Sequence, residues 1–434
     1  MKKRIAAFLA AAAVSSAALA AAVYSASRKY TEKDLKDMRD SLLGEAPVAE
    51  GQDINNDGHV DVFDMIRMRR AVVSAAAHSE KVSPVTEEYV RYTGRVLYKD
   101  GTAWLVQSGS AVEFTVSASS ASVTLRGDAS ISSAKDFRSR YAVIVDGVII
   151  RDDVMSSTSE TVELFSGNTE RIASVKVIHL SEADNGAVGI SAVTTESSAA
   201  EPVVPAKEKE LRIEFIGDSI TCAYGVEAAS QDEHFKTTTE NFMKSYAYLT
   251  AEELGADYSA VCYSGHGIIS GYSADGSKVA GRTVPPYYQL VGSLKAYSSP
   301  WDFSAKPCDV IVLNLGTNDS TYIDRDPDSR GAEFISAYED FLGVIRDNNP
   351  HAYIICTLGI MGCTSEYQMI EKAVENYRAK TGDNSIMCYL SPTQSYSDGY
   401  GADWHPSEAT HKINAEILAD KIRTVLGLNY VPAN

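Results

Sequence analysis

Residues 211–221 read LRIEFIGDSIT. Leu211, Ile213 and Phe215 alternate with polar residues, and Ile216 carries the apolar run to Gly217, the pattern of a strand that ends in a turn. The turn is Gly217-Asp218-Ser219. A serine presented there matters only through what other segments bring to the same place. Downstream, YSAVCYSG (258–265), DVIVLNLG (309–316), AYIICTLG (352–359) and IMCYLSP (386–392) repeat the apolar strand closed by glycine or proline. Amphipathic stretches such as NFMKSYAYLTAEELG (241–255) and AEFISAYEDFLGVIRDN (332–348) lie between them. Such strands alternating with helices predict a doubly wound α/β domain over 210–430, a parallel sheet covered on both faces. Sites in such sheets lie beyond the carboxyl ends of the strands, where Ser219 stands.

The chain has 434 residues, too many for one ordinary core, and two or three domains are expected. A formal charge of −18 argues against a nucleic-acid partner. Met1-Lys2-Lys3-Arg4 followed by an Ala-rich stretch predicts a signal peptide over 1–26, with an uncleaved anchor as the alternative; either implies a secreted, extracellular protein. The six cysteines all follow residue 210, form no C-x-x-C pair and sit mostly in apolar runs, so they read as structural thiols.

Residues 30–75 form a small helical unit around DINNDGHVDVFD (53–64). Asp53, Asn55, Asp57, Asp61 and Asp64 fall at loop positions 1, 3, 5, 9 and 12, Gly58 at 6, and the His59 carbonyl at 7. That spacing folds oxygen ligands inward around a hard cation, and calcium is the expected ion. The unit resembles a dockerin, with Asp at position 12 and a basic, apolar helix after it. Dockerins carry two such loops and this chain has one, so the unit reads as degenerate. The resemblance implies a cohesin or scaffoldin partner and cell-surface or cellulosome association.

Residues 85–198 read as an all-β, jelly-roll-like sandwich. AVEFTVSAS and SASVTLRG alternate in period two, and YAVIVDGVIIRD is a hairpin about Asp146-Gly147. No cluster of ligands or nucleophiles marks it, which predicts an accessory domain. EPVVPAKEKE (201–210) reads as the connector to the α/β half.

Serine is a weak nucleophile until a base takes its proton and donors hold the developing oxyanion. The other strand ends supply both: CYSGHG brings Gly265 and Gly267, NLGTNDS brings Asn318, and ADWHPSEATH brings His405 at the entrance to a helix. Gly217-Asp218-Ser219, Gly265, Gly316-Thr317-Asn318-Asp319 and Asp403-Trp404-His405-Pro406 resemble the motifs of the SGNH, or GDSL-type, hydrolases. With a β-sandwich in front, the chain resembles carbohydrate esterase family 2.

The resemblance implies removal of acetyl groups from plant polysaccharides such as xylan and mannan, with no catalytic cofactor. Ser219 would be the nucleophile and His405 the base. The N–H groups of Ser219 and Gly265 and the Asn318 amide would form the oxyanion hole, with Gly267 as an alternative donor. The superfamily places its triad aspartate three residues before the histidine, where this chain has Ala402. Asp403 is expected to orient His405 instead, through its main-chain carbonyl or its side chain. Trp404 reads as a wall for a sugar ring or as a core residue, and Tyr272 as a second substrate-binding ring; His234, His266 and His411 read as structural or surface residues. Two other functions fit the same residues: a lipase or thioesterase on this scaffold, and a calcium-dependent glycan-binding protein.

Overall fold

The computed structural model describes residues 30–427, Asn56 and His78 apart. Helices Glu32–Leu42 and Val62–Ala77 pack through Met38, Met68 and Val72. Thr31 and Asp34 form a reciprocal cap that starts the first helix. Between the helices the 53–64 loop wraps around its own carboxylates. Asp53 accepts from the N–H groups of Asp57 and Gly58, and buried Asp64 accepts from Ile54, Asn55 and Asp61. Gly58 turns at φ +88, a backbone angle that suits glycine.

Residues 79–205 fold into an antiparallel sheet of ten strands, bent over a core of Phe114, Val116, Val123, Leu125, Tyr141 and Val177. The two stretches expected as separate strands are one strand, Ala111–Gly127, paired with the 20-residue strand Glu160–His179. Burial falls on Val112, Phe114, Val116 and Ala118, then slips one residue to Ser119, Ala121, Val123 and Leu125. The register shifts at the same place. A one-residue slip in period two marks a bulge that bends the strand, and the run of serines and alanines accommodates it. The Asp146-Gly147 hairpin forms with positive φ at both residues. The connector departs from its reading: Val203–Pro205 joins the sheet beside Phe114–Val116, and Ser79–Ser83 joins at another edge. Two valines flanked by prolines suffice for a short edge strand.

Residues 212–426 form the parallel sheet and its helices. The strand order runs Asp257–Cys262, Arg212–Gly217, Val310–Asn314, Tyr353–Leu358, Ile386–Leu390. Ile213, Phe215, Val310 and Val312 face helices Tyr246–Glu253 and Glu408–Leu426. Ile216, Ile311, Leu313 and Ile354 face helices Pro327–Asn348 and Thr364–Thr381. All six cysteines are free thiols.

The two β units share a polar, buried seam. Arg95, fully buried, reaches from the antiparallel unit to Glu214 in the parallel strand Arg212–Gly217 at 2.9 Å and to the carbonyls of Tyr288 and Leu290. Arg91 bridges Glu113 and Asp257 at 2.8 Å each.

Candidate active site

The strand Arg212–Gly217 ends at Gly217, where a Cβ would lie 2.0 Å from Thr221 Oγ1. Only glycine lets the chain turn so closely onto the helix Ser219–Cys222. Asp218 caps that helix, its carboxylate accepting from the Ile220 N–H at 3.0 Å. Burial pushes the Asp218 carboxyl up to about 7. Its place is that of a turn-ordering group rather than a proton carrier.

Ser219 Oγ lies 2.9 Å from His405 Nε2. The other ring nitrogen, Nδ1, meets the Ala402 carbonyl at 3.1 Å, which fixes its proton there and leaves Nε2 to accept from the serine. Burial drives the imidazole pKa down to about 4, although the Ala402 carbonyl and, more weakly, the charge and the carbonyl of Asp403 favour the charged ring. Tyr224 stacks on the imidazole with ring centroids 4.0 Å apart.

The Asp403 side chain turns away from His405. Its two oxygens take the Tyr224 hydroxyl at 2.6 Å and His234 Nδ1 at 2.8 Å. The reason is local: Asp403 and Trp404 both adopt positive φ, +49 and +63, so the corner swings the carboxylate outward and aims carbonyls at the ring. The expected orienting role therefore falls first to the Ala402 carbonyl, with Asp403 contributing through its charge, its main chain and the tyrosine under the ring.

Gly265 turns at φ +74, and among the described residues its N–H and that of Ser219 have no hydrogen-bond acceptor. The Gly267 N–H is taken by the Arg282 carbonyl at 3.2 Å, which removes it as the alternative donor. Its lack of a side chain has another cause, since a Cβ would sit 2.4 Å from Asp319 Oδ2. The Asn318 amide donates to the His266 carbonyl at 2.9 Å and, at the longer distance of 3.2 Å, to Asp218 Oδ2. The second contact is the one a developing oxyanion would compete for. Trp404 is 52% exposed beside His405 and continues to Tyr400 and Tyr396, ring to ring at 5.3 and 6.4 Å. Tyr272 is exposed, with its N–H on the Gly265 carbonyl at 3.0 Å.

Residues 92–204 match the carbohydrate esterase 2 N-terminal family, and residues 215–413 match the GDSL-like lipase/acylhydrolase family. A family two carbohydrate esterase from Clostridium thermocellum, solved in complex with cellohexaose, is 32% identical, covers 78% of this chain and 99% of its own, and superposes with a TM-score of 0.66. The chain belongs to carbohydrate esterase family 2.

Two curated relatives carry the same block. The cellulase/esterase CelE of Acetivibrio thermocellus is 33% identical over 78% of this chain, which spans 40% of that relative's length. An acetylxylan esterase/glucomannan deacetylase of Cellvibrio japonicus is 28% identical over 65% of this chain and 76% of its own.

In this family 2 chain the structure gives roles to residues the sequence left without one. Asp319, fully buried, accepts from the N–H groups of Ile268, Ile269 and Ser270 at 2.8–3.1 Å and so holds the far side of the Gly265 loop. Its place directly after Asn318 was the available signal. Tyr224 carries no motif; only the fold brings it under His405. His411 is buried with Nδ1 accepting from the Tyr246 N–H at 3.1 Å, while His266 packs against Tyr263 and Tyr287. Both are structural; His234 lies on the surface, held to Asp403.

Proposed function

We propose that this family 2 chain removes O-acetyl groups from plant polysaccharides of the xylan and mannan type through an acetyl-serine intermediate. The 2.9 Å contact between Ser219 and an imidazole held in the right tautomer carries the reading. Ser219 Oγ attacks the acetyl carbonyl as His405 Nε2 takes its proton. The oxyanion draws on the N–H groups of Ser219 and Gly265 and on the Asn318 amide. His405 then returns the proton to the sugar oxygen as it leaves, and water, activated by the same nitrogen, releases acetate. The substrate class is supported by the exposed rings of Trp404, next to His405 in the chain, and of Tyr272, whose N–H bonds the Gly265 carbonyl, and by the activity for which the Cellvibrio relative is named.

Acetate release from acetylated xylan and acetylated glucomannan, compared with cleavage of 4-nitrophenyl octanoate, tests the reading. Acetate from either glycan upholds it. Octanoate cleavage without acetate release would move the site to the lipase class.

The pH dependence follows from His405. The base works only when neutral, and its pKa is lowered, so protonation switches it off at a lower pH than for a free imidazole, near 6.5. kcat/KM should hold as pH falls through 6 and drop with a midpoint near 4. A midpoint at 6.5, on enzyme shown intact by return to pH 7, would mean the ring is solvated in the working enzyme.

We infer further that the 53–64 loop binds calcium through Asp53, Asn55, Asp57, the His59 carbonyl, Asp61 and Asp64, and that it serves assembly rather than catalysis. The reading rests on the spacing of five oxygen-bearing side chains along the loop and on Gly58 at the turn; in the structure their carboxylates accept from the loop's own N–H groups rather than gather at one point. Val62, Phe63 and Ile66, 56%, 63% and 42% exposed on the following helix, offer an apolar surface to a cohesin-type scaffold. Calorimetry should show one calcium site, lost in Asp53→Ala, with ester hydrolysis unchanged on chelation; no heat of binding would refute the site. Export is proposed from the residues 1–26, which lie outside those described.

A further inference from the structure

The Gly265 loop is held from two sides by two carboxylates from different parts of the chain. Asp319 holds residues 268–270 from within the parallel-sheet unit. Glu182 holds Ser264 from the antiparallel unit: its Oε2 accepts the Ser264 N–H at 2.7 Å. The same oxygen takes the Cys222 thiol at 3.8 Å, and Cys222 ends the helix that Ser219 begins. Oε1 accepts from Asn185 Nδ2 at 3.2 Å, and the Glu182 N–H is fixed on Glu240 Oε2 at 2.9 Å. Glu182 is itself buried, 5% exposed. One oxygen atom thus touches both segments whose spacing sets the oxyanion hole, the nucleophile's helix and the residue before Gly265.

We propose that Glu182 is a positioning residue for catalysis, supplied by the accessory unit, which fixes Ser264 and through it the Gly265 N–H relative to Ser219. The proposal rests on the esterase reading of that site. Donors in an oxyanion hole act through their placement before reaction, and loss of one lowers kcat by about 10²- to 10³-fold. Glu182 touches no substrate, so its loss falls on kcat rather than KM. A carboxylate accepts more strongly than a neutral amide, which in turn accepts where an aliphatic chain cannot. The effects are therefore graded.

The test uses the full chain with 4-nitrophenyl acetate, so that it depends on ester hydrolysis and not on which polysaccharide is the substrate. Failure of the wild type on every acetyl ester would sink the esterase reading itself. With an active wild type, Glu182→Gln should lose kcat several-fold and Glu182→Leu about 100-fold, both with KM within about twofold. A Glu182→Leu enzyme with wild-type kcat, or with a changed KM alone, would overturn the proposal. If Glu182→Leu does not fold, hydrogen exchange in Glu182→Gln decides. Faster exchange at Ser264 together with a lower kcat supports the proposal, and any other pattern refutes it.

Discussion

Ser219→Ala is expected to lower kcat on acetyl esters by about 10⁴- to 10⁶-fold while the protein stays folded. The side chain is small, and among the described residues its Oγ makes one hydrogen bond, to His405. Removing it deletes the atom that forms the acyl-enzyme and leaves only a histidine and an oxyanion hole to act on water. His405→Ala should fall in the same range, and the double variant little further, because the two act as a unit. A Ser219→Ala enzyme within about 100-fold of wild type would show that another group attacks the ester. Acetylation of Ser219 caught by mass spectrometry at low pH would locate the intermediate directly.

The second large effect concerns stability. Arg95 and Glu214 form an ion pair with side chains 0% and 2% exposed, enclosed by the rings of Tyr288, Trp301 and Phe303 at 5.1–5.4 Å from the guanidinium. Truncating one partner leaves the other charged or forces it to neutralise in an apolar setting, at a cost of about 3–5 kcal/mol. Arg95→Met should therefore lower the denaturation midpoint sharply, and Glu214→Leu similarly. The double variant should recover much of the loss, since two apolar groups need no counter-charge. Equal losses that simply add would mean that the carbonyl contacts of Arg95, not the ion pair, hold the seam.

How far the sequence discloses this molecule depends on whether a feature is local. The parallel sheet is legible because each of its strands is a continuous apolar run between helices. Ser219, Gly265, Asn318 and His405 are legible because each stands at the carboxyl end of one of those runs or at a helix entrance, and the fold brings Ser219 and His405 into contact. The Ala111–Gly127 strand reads as two because a bulge and a turn both interrupt a period of two, and serine suits either. Asp403 misleads for another reason. Distance along the chain says how near a carboxylate can come to the imidazole, while the direction it takes depends on backbone angles that no composition records. Arg95, Glu182 and Tyr224 are long-range: their partners lie 119, 82 and 179 residues away.

The corner before His405 has a further consequence. Asp403 and Trp404 hold left-handed backbone angles in succession. For residues bearing a Cβ these are uncommon, and such positions store of the order of 1–3 kcal/mol each. Glycine at either position would relax the corner, yet it would also free the segment that aims carbonyls at the imidazole. This short turn is thus where selection for robustness and selection for turnover pull in opposite directions. A search for heat-resistant variants should find its easiest gains there and lose rate with each of them.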